Sequence, residues 1–162
     1  MALKDDQLPQ FFSISPSSIR AKKEVDEPIV KGKYVAFHIG GDTWITLEVA
    51  MNYEQRSLQW RMIDLQQQGS SAVWSEITAS ESESWGWSTQ SVKRYLLQYV
   101  PSTVHGYLSK AFEQYKSTAY PVYAGSLLAF NVGGDRWRVW KVSFDRDRMV
   151  LDAYPLREVA LR

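Results

Sequence analysis

Cysteine is absent from the 162-residue chain, which excludes disulfides, thiolate metal ligands and a cysteine nucleophile. Histidine is nearly absent too: His38 and His105 are the two imidazoles. Neither has carboxylates at ligand spacing, so a metal centre is not expected. Charge of one sign is missing: 19 Lys+Arg against 18 Asp+Glu leave a formal +1, without the basic excess that steers a protein toward polyanions. No apolar run is long enough to span a bilayer, and Met1 to Gln10 is charged and broken by Pro9, unlike a signal peptide. These absences lead us to expect a soluble, cytoplasmic protein without membrane contact.

Aromatics are plentiful: 7 Trp, 9 Tyr and 6 Phe within a 44% hydrophobic composition supply enough apolar surface for one folded domain. The sequence also matches itself. Val35 to Val49 (VAFHIGGDTWITLEV) aligns without a gap to Leu128 to Val142 (LAFNVGGDRWRVWKV), 93 residues later, with seven identities in fifteen. These are Ala36/Ala129, Phe37/Phe130, Gly40/Gly133, Gly41/Gly134, Asp42/Asp135, Trp44/Trp137 and Val49/Val142. We read this as an internal repeat, although unrelated hairpins also share Gly-Gly-Asp turns.

Each copy has the pattern of a β-hairpin, with β-type residues flanking glycines able to take positive φ. A three-residue loop at Gly40, Gly41 and Asp42 places Val35, Phe37, Ile39, Ile45, Leu47, Val49 and Met51 on one face. The same register gathers Leu128, Phe130, Val132, Trp140, Val142 and Phe144, with Arg138 breaking the set. On the opposite faces His38 stands across from Trp44, and Asn131 across from Trp137. A third strand is expected after each hairpin, at Leu58 to Leu65 and Met149 to Tyr154, giving two three-stranded meanders.

Between them Val92, Tyr95, Leu96 and Tyr99, then Val104, Tyr107, Leu108, Ala111, Phe112 and Tyr115, recur at helical spacing. Pro101 divides the run into a kinked helix or a helix pair, with the proline opening the second. Residues 66–90 are rich in Gln, Ser and Glu but carry Trp74, Trp85 and Trp87, and Ala72 to Thr78 reads as a possible seventh strand. Residues 1–28, with three prolines and alternating charge, read as an extended arm anchored at Phe11 and Phe12. The expected organisation is that arm followed by one α+β domain over 29–162. Within it lie repeat one (33–65), the segment 66–90, helices (91–117) and repeat two (120–162), the helices packing on the apolar faces of two pseudo-twofold-related sheets. A layout of several strands plus a helix, repeated, resembles that of Whirly and PUR-type single-strand binders, although no motif of theirs is matched. The resemblance implies no more than a place for nucleic acid among the partners.

Catalytic patterns are missing. The Gly-Gly-Asp turns open strands rather than helices and lack the Lys-Ser/Thr of a phosphate loop; no Gly-x-Ser-x-Gly elbow occurs; Glu81 and Glu83 sit one residue apart in a polar stretch and read as solubilising charge. Neither an enzyme nor a cofactor is expected. What remains is a candidate binding face of His38, Trp44, Asn131 and Trp137 with Arg136, Arg138, Lys141, Arg146 and Arg148. Its first reading is a non-catalytic, protein-binding interaction module. The alternative is a single-stranded nucleic-acid binder that stacks bases on the tryptophans and neutralises phosphates with the basic residues. A covering layer from the arm or from 66–90 would turn both tryptophans into ordinary core.

Overall fold

The structure, a computed structural model, describes residues 2–65, 73–78, 86–102, 105–116 and 119–158. Trp85, Glu81, Glu83 and Val104, singled out above, lie outside the described residues. The fold is α+β: the described residues form four α-helices and eleven strands in two antiparallel sheets.

The first sheet runs β2 (Ile29–Lys31), β3 (Tyr34–Gly40), β4 (Thr43–Asn52), β5 (Ser57–Met62) and β6 (Ser75–Thr78), in that order. A two-residue strand, β1 (Leu3–Lys4), pairs with β4 at Leu3↔Trp44 and Lys4↔Thr43. The second runs β8 (Val122–Ala124), β9 (Leu127–Gly133), β10 (Arg136–Asp145) and β11 (Val150–Pro155), and β7 (Trp87–Ser88) pairs with β10. The expected meanders therefore form, each extended by further strands; the seventh strand is realised as β6.

Both hairpins turn as their glycines dictate. His38 faces Trp44 and Gly40 faces Thr43, with a bulge between them; Asn131 faces Trp137 and Gly133 faces Arg136, again with a bulge. The extra residue of the bulge preserves the parity inferred for a three-residue loop. Gly40 and Gly133 sit at φ 129° and 123°, a region closed to most L side chains.

The apolar faces read from the sequence are real, but helices do not cover them. They pack on each other. Val35, Phe37, Ile45, Leu47, Val49, Met51, Leu58 and Trp60 of the first sheet meet Leu128, Phe130, Trp140, Val142 and Leu151 of the second in one core. Phe37 stacks on Phe144 with centroids 5.7 Å apart, and the Trp140 indole N–H donates to Met51 Sδ at 3.2 Å. Two sheets each carrying an apolar face bury more of it by facing one another than a short helix pair can cover.

The helices lie on the outer faces. α3 (Thr89–Leu97) and α4 (His105–Tyr115) place Val92, Leu96, Leu108 and Phe112 on Ala129, Trp137 and Val139 of the second sheet. Pro101 falls in their connection, ahead of α4 rather than at its opening. Residues 1–28 do not form an extended arm. A 3-10 turn (Asp5–Gln7), α1 (Leu8–Phe12) and α2 (Pro16–Val25) follow β1, and Leu3, Leu8, Phe12 and Ile19 pack on Ile29, Ala36 and Trp44. The prolines thought to break this segment start its helices: Pro9 and Pro16 occupy the first turns of α1 and α2, where no N–H bond is lost. The Ser15 hydroxyl accepts from the Ser18 N–H as an N-cap. The result is a stack of four layers: N-terminal helices, first sheet, second sheet, α3 with α4.

Candidate functional site

The proposed binding face does not exist as an open aromatic surface. Trp44 and Trp137 are both fully buried. The Trp44 indole N–H donates to Asp5 Oδ1 at 2.7 Å under the N-terminal layer; that of Trp137 donates to Thr89 Oγ1 at 2.8 Å, with Phe112 edge-on at 5.0 Å. The covering layer won because a tryptophan left in water forfeits much of the burial free energy of its ring, while its single N–H needs only one acceptor.

His38 and Asn131 hold turns. His38 Nε2 lies 2.8 Å from the Gly41 carbonyl, its ring tilted against Trp44 at 5.2 Å. Asn131 Nδ2 donates to the Gly134 carbonyl at 3.0 Å, and its Oδ1 accepts from the Gly133 N–H. Neither polar group points at a ligand. His105 Nε2 lies 3.3 Å from the Val100 carbonyl, in the connection before α4.

The basic residues do not converge. Arg138 is fully buried on the inter-sheet face, its guanidinium 5.5 Å from the Trp140 ring centroid, where no phosphate reaches it. Arg136 opens β10 and reaches back to the Gly86 carbonyl at 3.4 Å. Arg146 and Arg148 lie beyond its other end, in the turn to β11; Arg146 pairs with Asp26 at 3.0 Å and Arg148 with Asp145 at 3.9 Å. Ten residues of extended strand, roughly 30 Å, separate Arg136 from Arg146. Lys141 is exposed in the middle of β10, opposite Tyr154 in register.

What the surface does present is tyrosine. Among the described residues, Tyr53, Tyr99, Tyr107, Tyr120, Tyr123 and Tyr154 make up six of the nine exposed large apolar side chains. Three phenols, Tyr95, Tyr99 and Tyr154, lie near one another at the end of α3, Tyr154 close enough for its charge to act on Tyr95. The Tyr99 and Tyr95 hydroxyls share a hydrogen bond at 3.0 Å with ring centroids 5.4 Å apart, and Tyr95 rests on Trp87 at 5.2 Å. Tyr99 and Tyr154 are 50% and 54% exposed. The Tyr95 phenol is pushed up to about 12, first by the hydrogen bond with Tyr99, then by burial and by the charge on Tyr99 and Tyr154 that ionisation would bring. It stays protonated at any physiological pH. The helical spacing had placed Tyr99 and Tyr107 on the packed face; Tyr107 is 80% exposed. The turn between Tyr95 and Tyr99 carries the pair past the edge of α3's contact with the sheet, and α4 presents Leu108 and Phe112 inward instead. The Tyr-x-x-x-Tyr spacing was the available signal, legible only once the packed face is known.

The first sheet's outer face is polar where the N-terminal layer ends. Glu48 accepts from Arg61 Nε and Nη2 at 3.0 and 2.9 Å and from Lys33 Nζ at 3.1 Å, and Arg61 lies over the Trp74 ring at 4.3 Å. This pairing is internally satisfied. Among the described residues no group of His, Asp and Glu is arranged to hold a metal ion, and no helix is long and apolar enough to cross a membrane. No protein-family model, curated protein or solved structure matches the chain.

Proposed function

We propose that this protein is a non-catalytic recognition module that binds a protein partner through the surface formed by Tyr95, Tyr99 and Tyr154, with Lys141 at its edge. One observation carries the reading: the half-exposed Tyr99 is hydrogen-bonded to and packed against a Tyr95 that itself rests on Trp87, and the half-exposed Tyr154 lies near enough for its charge to act on the Tyr95 phenol. Rigid amphipathic rings held in place before contact lose little entropy on binding, and tyrosine is enriched at interface hot spots. The nucleic-acid alternative loses its support, since its stacking residues Trp44 and Trp137 and its Arg138 are all buried.

The test is affinity capture by the full chain, with a Tyr99→Ala/Tyr154→Ala variant alongside and Tyr107→Ala as control. A partner held by the wild type and by the control, and lost by the double variant at unchanged melting temperature, supports the assignment. Capture that persists in the double variant removes this surface from consideration. Titration with single-stranded oligonucleotide at low salt is expected to give no binding; salt-sensitive binding would restore the alternative and sink the present reading.

A further inference from the structure

The two halves of the molecule correspond well beyond the fifteen-residue match. Strands β2, β3, β4 and β5 begin at 29, 34, 43 and 57; β8, β9, β10 and β11 begin at 122, 127, 136 and 150, each 93 later. Left-handed backbone recurs at the same offset: Gly32 and Gly125 at φ 60° and 57°, Gly41 and Gly134 at 54° and 53°, and the non-glycines Arg56 and Met149 at 54° and 55°. Non-glycine residues adopt this region rarely, so a matched pair is informative. Backbone hydrogen bonds that no strand ladder requires also pair off. Val49 N–H donates to Lys33 O and Val142 N–H to Ser126 O; Ile63 N–H donates to Thr46 O and Leu156 N–H to Val139 O.

The N-terminal layer has its counterpart in the segment from Trp87. Leu3 pairs with Trp44 as Trp87 pairs with Trp137. Two residues after each, Asp5 and Thr89 accept from those same indoles, and two helices follow in both cases.

The contact between the halves is reciprocal. Tyr120 lies 3.5 Å from where a Cβ on Gly32 would sit, and Glu27 lies 2.8 Å from the corresponding point on Gly125. Subtracting 93 turns Tyr120 into position 27 and Gly125 into position 32, so residue i of one half meets j of the other while j meets i. That reciprocity defines an isologous interface.

We propose that the chain comprises two equivalent β-α-α-β-β-β-β units, Leu3–Ile63 and Trp87–Leu156, fused as an isologous pair, and that its further partner is a second copy of itself. The inner face of the first unit, built on Phe37, Leu47 and Val49, docks on the second unit's Phe130, Trp140 and Val142 whether that unit belongs to the same chain or to another. A single covalent connection, residues 64–86, joins the units.

Two full-length variants test this. Leu47→Asp places a charge on the buried inner face of the first unit, and Phe130→Asp on that of the second. Each is expected to fold poorly alone; where a single Asp leaves a cooperative melt, Leu47→Asp/Val49→Asp and Phe130→Asp/Val142→Asp replace them. Denatured together and co-refolded, the pair combines the intact first unit of one chain with the intact second unit of the other. The expected product is a heterodimer recovering about half the wild-type near-UV circular dichroism per chain, one of its two inter-sheet cores being intact. A mixture whose spectrum and elution equal the sum of the separately refolded variants overturns the proposal.

Discussion

Phe37 and Phe130 occupy matching places in the inter-sheet core, and each is almost wholly removed from water. Phe130→Ala should therefore cost about 3–5 kcal/mol, through lost burial and the cavity left between two facing sheets that cannot close independently. A urea midpoint unchanged from wild type would remove Phe130 from the core. Asp5 carries a different kind of load. Burial pushes its carboxyl up, but the hydrogen bonds from Lys23 and Trp44, helped by the Lys23 charge, outweigh it and leave the group below its ordinary 3.8. Since the folded value is the lower one, Asp5 stabilises the fold above the unfolded value, and that contribution is lost as pH falls through the folded value. Asp5→Asn should be less stable than wild type at neutral pH, and the two denaturation curves should draw together below about pH 4. A gap that stays constant down to that pH would show the ionised carboxylate plays no part.

At the scale of elements, the N-terminal helices depend on caps and on a few apolar anchors. Ser15→Ala removes the hydroxyl that accepts from the Ser18 N–H and should cost about 1 kcal/mol, read from thermal unfolding. Leu8, fully buried against the Trp44 face, should cost about 2–5 kcal/mol as Leu8→Ala. The turn after β10 offers the opposite sign. Met149 sits at φ 55°, and Met149→Gly should raise stability by about 0.5 kcal/mol, relief of the left-handed strain exceeding the added chain entropy. Hairpin register was legible in the sequence because side chains alternate in strands and the Gly-Gly-Asp turns fix where each strand ends. The character of the first 28 residues was not. Pro9 and Pro16 signal a chain break and a helix start equally well, and only the surface beneath them, Trp44 with Ala36, selects the helical outcome.

At the scale of the whole molecule, neutral overall charge and a tyrosine-rich surface argue for short-range recognition rather than electrostatic steering. Tyr99→Ala/Tyr154→Ala should leave stability within about 0.5 kcal/mol of wild type, because both side chains are half exposed and neither fills a core. A larger loss would mean the phenols help hold α3 in place and are structural. By itself the sequence determined the hairpin strands with the third strand after each, the two hairpin turns and the inward faces, since each depends on residues adjacent along the chain. Which layer covers which face was decided only in three dimensions. A strand has two sides, and with Val35, Phe37 and Leu47 on one and Trp44 on the other, alternation alone cannot say whether helix, sheet or water meets each. The two apolar sheet faces found each other, and the helices then took the remaining sides at Trp44 and Trp137, closing the surface that had looked most available for binding and leaving Tyr99 and Tyr154 outside.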